Sequence, residues 1–267
     1  MAESDPLSEI EFLARSPNRI EVLAALAEGP HTRRELAAAV DVSQPTLGRI
    51  LRDLSERKWV EKGDGDDYRA TATGRLVATG MTDLRDRLAT ETELREVIEW
   101  LPTESIDVDL TRFSGATITT PTQTRPNAPI QRMLELLRET DHALLLSHAF
   151  NEQKLRLIHD RTVDGDLTTR GVFGEEAIDA IAATPELRDV LADILAAEDA
   201  EIRVSADEIP VAVEVTDDRT HLLLRNDEGI VRASLDTADP AVREWAERIH
   251  ERYWQGGRPV TTADLDG

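Results

Sequence analysis

Arg49 and Arg52 stand three residues apart in a segment that carries Leu47, Ile50, Leu51 and Leu54 on one side and Pro45, Arg49, Arg52 and Glu56 on the other. Two guanidinium groups on the polar side of a short helix match phosphate oxygens and guanine edges, the chemistry of a helix laid in a DNA major groove. Gln44 and Thr46 fall near the start of that helix, close to where base edges are reached in such dockings. Arg33 and Arg34 open the preceding helical segment, where side chain and helix N-terminus can hold one phosphate together. Lys62 and Arg69 flank a later turn and are placed to grip the neighbouring backbone or minor groove.

These side chains need a frame, and the local sequence supplies one. Thr32 is placed as an N-cap with Glu35 three residues on, a capping box, and Leu36, Ala37 and Val40 face inward. Asp41 and Val42 make the turn. Ser43 caps the next helix, and Pro45 fits its first turn, where a missing N–H is harmless. Two alternating runs, Trp59 to Lys62 and Asp67 to Thr71, are separated by Gly63-Asp64-Gly65-Asp66 and predict a hairpin. Helix, turn, helix and hairpin together predict a winged helix-turn-helix whose DNA contacts are Thr32, Arg33, Arg34, Ser43, Gln44, Pro45, Thr46, Arg49, Arg52, Lys62 and Arg69. The same fold also serves as a protein-docking module, with its arginines balancing acids such as Asp53 and Glu56.

Charge bears on the choice. The chain has 31 basic and 53 acidic residues, a formal charge of -22, which taken whole opposes binding to a polyanion. Residues 29 to 75 hold nine Arg or Lys and eight Asp or Glu, a net of +1, so the remainder sums to -23. The candidate reading head is the least acidic part of the chain. Lysine occurs only at 58, 62 and 154, and acidity with so little lysine fits a cell interior at molar salt. There the Debye length is about 3 Å, and distant repulsion is screened.

Ahead of the head, Leu7 to Ala14 and a helix opened by Ser16-Pro17 are expected. Beyond it, a helical stripe runs through Val77, Met81, Leu84 and Leu88, then Leu94, Val97, Ile98 and Leu101, and Pro102 ends it. That stripe suits either a dimer seam or packing on the chain's own domains. Strands are expected near 106–112, 115–120, 142–147, 167–173, 200–204, 209–215, 220–225 and 230–235. Helices are expected near 128–139, 150–162, 174–183, 185–197 and 239–254. An extended loop runs from Thr119 to Pro129. The fold class is α+β: a winged helix-turn-helix domain over 1–75, linker or dimerisation helices over 76–102, and a mixed α/β effector domain over 103–267.

The run from Pro30 to Leu54, followed by Trp59-Val-Glu-Lys, resembles the archaeal winged helix-turn-helix transcriptional regulators of the MarR and TrmB types. Ile106-Asp-Val-Asp-Leu and Asn127-Ala-Pro-Ile-Gln-Arg-Met-Leu look like haloarchaeal members with a C-terminal effector domain. The resemblance implies a homodimer that binds double-stranded operator DNA and answers a signal. It also implies a C-terminal domain similar to the phospholipase D fold, without its catalysis.

That catalysis needs a histidine with lysine two residues on, and none of the six histidines, at 31, 142, 148, 159, 221 and 250, has one. There are no cysteines, no phosphate-binding glycine loop and no metal-ligand spacing, so no cofactor or metal is expected. Asp64, Asp66 and Asp67 begin like a calcium loop but lack its sixth-position Gly and twelfth-position Glu. The acidic start, Met1 to Asp5, is no signal peptide, and no apolar run suits a membrane span, so a cytoplasmic protein is expected. A small-molecule effector would enter outside the carboxyl ends of strands, where Ser147, His148 and Asn151 follow an apolar run. Arg170 is a further candidate there. Trp245, Tyr253 and Trp254 on the last helix read as core or dimer contact.

Overall fold

The computed structural model describes residues 5–63 and 65–265, in two compact units, Met1–Ala89 and Thr90–Gly267. Asp64 of the expected hairpin turn and calcium-like run, and Met1 to Ser4 of the acidic start, lie outside the described residues.

The first unit runs α1 (Pro6–Ala14), α2 (Pro17–Glu28), β1 (His31–Thr32), α3 (Arg33–Ala39), α4 (Gln44–Glu56), β2 (Val60–Lys62) and β3 (Asp67–Ala70). The chain then enters α5 (Ala72–Leu94). The three strands form an antiparallel sheet in the order β1-β3-β2, with Val60 opposite Ala70 and Lys62 opposite Tyr68. Leu23, Leu26, Leu36, Leu47, Leu54 and Trp59 make its core. Gly74 lets the start of α5 close on the hairpin, because a Cβ there would stand 1.9 Å from the Trp59 carbonyl oxygen.

The second unit contains β4 (Thr117–Thr119), α6 (Ala128–Arg138), β5 (His142–Ser147), α7 (Glu152–Val163), β6 (Thr168–Gly174), α8 (Glu175–Ala182) and α9 (Pro185–Ala196). It continues with β7 (Ala200–Ser205), β8 (Ala212–Val215), β9 (Thr220–Arg225), β10 (Val231–Thr237), α10 (Pro240–Gly256) and β11 (Arg258–Pro259). Its sheet has the order β11-β7-β6-β5-β8-β9-β10-β4. The β5-β6 and β6-β7 pairs are parallel, joined by helical crossovers, and the others are antiparallel. From β5 the chain therefore builds outward in one direction through β6 and β7, and returns to build the other way through β8, β9 and β10. Helix α10 covers one face, burying Trp245 and Trp254 against Val213, Leu222 and Leu235. Helices α6 to α9 cover the other.

Three expectations fail locally. Residues 106–112 form no strand but lie between and within short 3-10 turns at Thr103–Ser105 and Leu110–Phe113. Asp109 accepts from the Thr111 N–H at 2.9 Å and its hydroxyl at 2.7 Å, and Trp245 Nε1 donates to the Ser105 carbonyl at 3.1 Å. These bonds replace a ladder. The helix expected to reach Leu101 stops at Leu94, because Leu94, Val97 and Leu101 turn into the core of the second unit. Pro129, expected in the extended loop, sits in the first turn of α6. The apolar stripe is thus divided. Val77 and Met81 pack in the first unit, and Leu84 and Leu88 remain exposed.

Beneath α6 and α7 lies a buried charged layer. Asp236, fully buried, takes two bonds from Arg132 at 2.9 and 3.0 Å and an ion pair from Arg219 at 3.3 Å. Lys154 pairs with the buried Glu214. His221 stands between them in register, opposite Glu214 on β8 and Asp236 on β10. Neither of its ring nitrogens has a hydrogen-bond partner among the described residues. Burial pushes its pKa down, against the pull of Glu214 and Asp236.

Four outcomes are expected. Gly74→Ala loses about 1–3 kcal/mol in urea unfolding, from overpacking against rigid backbone. Gly80→Ala, where a Cβ meets nothing within 4 Å, gains up to about 1 kcal/mol. Lys154→Ala strands a buried carboxylate and costs about 3–5 kcal/mol, whereas Lys154→Met with Glu214→Leu restores most of it. His221 stays neutral in the fold while the unfolded chain gains a proton near the ordinary histidine value of about 6.5, so this residue makes stability fall as pH drops below that value. His148 and His250, also lowered by burial, share that sign, and His159, raised by Asp160, has the opposite one. His221→Asn therefore flattens the stability profile measured from about pH 8 to pH 5 without abolishing its slope.

Candidate nucleic-acid interface and effector cavity

Helix α4 is set by its first turn. The Ser43 hydroxyl accepts from the Thr46 N–H at 3.4 Å and lies 2.9 Å from the Thr46 hydroxyl, while Pro45 occupies the first turn. Asp41, at φ 50°, supplies the left-handed residue that reverses the chain between α3 and α4, a conformation Asp tolerates better than most. Thr32 and Glu35 complete the capping box on α3. Leu47, Ile50, Leu51 and Leu54 are buried, which leaves Ser43, Gln44, Pro45, Arg49, Arg52 and Glu56 exposed.

The cations differ in how free they are. Arg49 is exposed and, like Arg34, has no carboxylate partner among the described residues. Arg52, 66% exposed, reaches Asp53 at 3.6 Å and Glu56 at 3.9 Å, long contacts worth little in water. Arg33 and Gln44 are tied to each other: Arg33 Nη2 donates to the Gln44 carbonyl at 3.3 Å, and Gln44 Nε2 donates to the Arg33 carbonyl at 3.4 Å. Gly48 makes room for this brace, since a Cβ there would lie 2.7 Å from Arg33 Nη2. In the wing both expected contacts are partnered, Lys62 with Asp66 at 3.2 Å and Arg69 with Glu61 at 2.8 Å. Among the expected contacts the structure thus leaves Arg34 and Arg49 without a carboxylate partner and Arg52 with distant ones only, and gives Arg33 and Gln44 a bracing role that sequence spacing did not reveal.

In the second unit a cavity of about 650 Å3 opens outside the carboxyl ends of β5, β6, β7 and β9, where His148, Gly174, Ser205 and Arg225 meet. His148 Nδ1 and Arg225 Nε are buried without a hydrogen-bond partner among the described residues. Burial, and then the charge of Arg225, hold His148 below its ordinary pKa, while Glu208 opposes them. Arg225 Nη1 donates to the Gly229 carbonyl at 2.9 Å, and no carboxylate lies within ion-pair distance among the described residues.

Of the expected effector residues, only His148 lines this space. Ser147 closes its own turn, donating to the Ala149 carbonyl at 2.6 Å, and Asn151 caps α7 through the Lys154 N–H at 3.0 Å. Arg170 points under α10, its guanidinium 4.0 Å from the Trp254 ring and 3.5 Å from Glu251. Arg225 went unnoticed, although it too follows an apolar run, Leu222 to Leu224, at a strand's carboxyl end. Among the described residues no cluster of three or more metal-ligating side chains forms, and no helix is long and apolar enough to cross a membrane.

Residues 7–93 match the family model of the HVO_A0261 N-terminal domain, and residues 126–256 match that of the middle domain of the methanogenesis regulatory protein FilR1. No curated protein matches the chain. Among solved structures, the chain is similar to TrmBL2, an archaeal chromatin protein described as showing a novel mode of DNA binding. Identity is 17% over 96% of this chain and 100% of that one, at a TM-score of 0.44. It is similar to Nuc, a phospholipase D family member from Salmonella typhimurium, with 10% identity over 54% of this chain and 98% of that one, at a TM-score of 0.43. The adhesin competence repressor AdcR from Streptococcus pyogenes shares 15% identity over 37% of this chain and 79% of that one, at a TM-score of 0.28. The chain thus carries an HVO_A0261-type N-terminal domain followed by a middle domain like that of the methanogenesis regulatory protein FilR1, a pairing that marks a transcriptional regulator.

Proposed function

We propose that this regulator binds specific double-stranded DNA as a homodimer, through α4 and its wing, and that a small molecule at the second unit controls the binding. The observation that carries the reading is the exposed face of α4. A capped helix start is followed by Arg49 and Arg52 directly opposite the buried leucine stripe, with Arg34 at the start of α3. Guanidinium groups held in that way meet guanine edges and phosphates at close range, which suits a head of net +1 better than long-range attraction does. The proposed domains are 1–75 for DNA, 76–102 for the link and dimerisation, and 103–267 for sensing; within the link Val77 and Met81 pack in the first unit and Leu94, Val97 and Leu101 in the second, which leaves Leu84 and Leu88 exposed for dimerisation.

A phosphodiesterase reading has less support. Lys154, the one lysine of the second unit, is buried against Glu214, and no histidine has a lysine two residues on. The protein therefore acts as a binding regulator rather than a hydrolase.

Binding to fragments of the protein's own promoter in molar potassium chloride tests the reading. Arg49→Ala and Arg52→Ala each lose about 1–3 kcal/mol of specific affinity. Lys62→Ala and Arg69→Ala, whose cations already have carboxylate partners, lose less. Unchanged affinity in the Arg49→Ala/Arg52→Ala double variant would overturn the DNA reading and assign the exposed face of α4 to protein docking.

A further inference from the structure

We infer that the cavity of the second unit binds a small zwitterion that carries both a carboxylate and a protonated amine, as a free α-amino acid does. The inference rests on the sensing role proposed above and names the place and the ligand chemistry.

Position comes first. The carboxyl ends of β5, β6, β7 and β9 share one edge of the sheet, and the connection from β7 to β8, residues 206–211, crosses that edge and forms one wall of the crevice. Ligands of open α/β sheets collect outside the carboxyl ends of strands. At about 650 Å3 the cavity falls within the range of small-molecule sites.

Polarity comes next. The inner wall holds Arg225, a half-buried guanidinium in a chain where acids outnumber bases 53 to 31, and yet it has no carboxylate within ion-pair reach among the described residues. Leaving a buried Nε–H unpaired is costly, and the Nδ1 of neutral His148 is unpaired on the same wall. One anion on Arg225, with His148 bonding a second polar atom of the same molecule, satisfies both. Around the mouth stand exposed Glu175, Glu176, Asp207, Glu208 and Asp227. That ring repels a phosphate dianion, tolerates a carboxylate only if it reaches the inner wall, and attracts an ammonium group. Opposite charges set a few ångströms apart on one small molecule match this arrangement, inner cation and outer anions, where a simple acid or a simple amine matches only half of it.

The test uses the full chain in molar potassium chloride, with binding followed by thermal shift and calorimetry. The probes are the common L-amino acids, the des-amino acid and the decarboxylated amine of whichever binds, and inorganic phosphate. At least one amino acid binds, and its two analogues bind roughly tenfold or more weakly, the loss expected of a charge-assisted contact. Arg225→Gln removes amino-acid binding. Because Arg225 also holds the Gly229 turn, Glu208→Gln serves as the second variant: it weakens the amino acid and leaves the des-amino analogue unchanged or tighter. No binding by any amino acid, equal binding of either analogue, tighter binding of phosphate, or full retention in a folded Arg225→Gln protein overturns the assignment. Promoter affinity is read separately. An amino acid that binds as described without changing it upholds the site and overturns the sensing role.

Discussion

The scarcity of positive charge is the constraint on which this structure turns. With 53 acids and 31 bases, a cation placed anywhere is withheld from many carboxylates elsewhere. The fold spends cations first where a buried anion would otherwise be intolerable. Asp236 draws in Arg132 and Arg219, and Glu214 takes the one lysine of the second unit. In the first unit Arg19 and Arg57 lie over the Phe12 ring at 4.0 and 3.5 Å while also meeting Asp53 and Glu9, so each guanidinium serves packing and charge at once. Against that background a guanidinium left without a carboxylate, as on α4 or at the end of β9, stands out as a place with room for an anion from outside.

Local chemistry made the head readable from sequence. Thr32 with Glu35, Ser43 before Pro45, and leucines at helical spacing act within a few residues of one another, and all of them do in three dimensions what the spacing implies. Strands buried on both faces, such as β5 and β9, are continuous apolar runs with polar ends and were equally plain. What escaped notice depends on distant partners. The turns around Asp109 are held partly by Trp245, far along the chain, so an alternating pattern there was misleading. The brace between Arg33 and Gln44 and the pairing of Lys154 with Glu214 are cross-element contacts that no single-segment pattern contains.

The candidate effector cavity shows the same limit from the other side. A general rule about strand ends found His148, but Ser147 and Asn151 on the same loop are used in turning the chain and starting α7. Arg170 lies on a strand whose alternate residues face opposite sides, and its side belongs to α10. Only the sheet order reveals that β9, one strand beyond β8, ends at the same edge of the sheet as β5, and with it Arg225.

The paired cations of the wing affect how such a head responds to ions. A free lysine or arginine that meets a phosphate displaces a condensed counterion, and each displacement steepens the fall of affinity with salt. Lys62 and Arg69 begin on Asp66 and Glu61, in exposed pairs that molar salt already loosens. Shifting such a cation from carboxylate to phosphate exposes one anion as it covers another, so the net ion release is smaller. On the proposed docking, such a wing would act as an ion-exchange buffer, and affinity for DNA would decline gently across the concentrations at which a head with unpaired cations would already have let go.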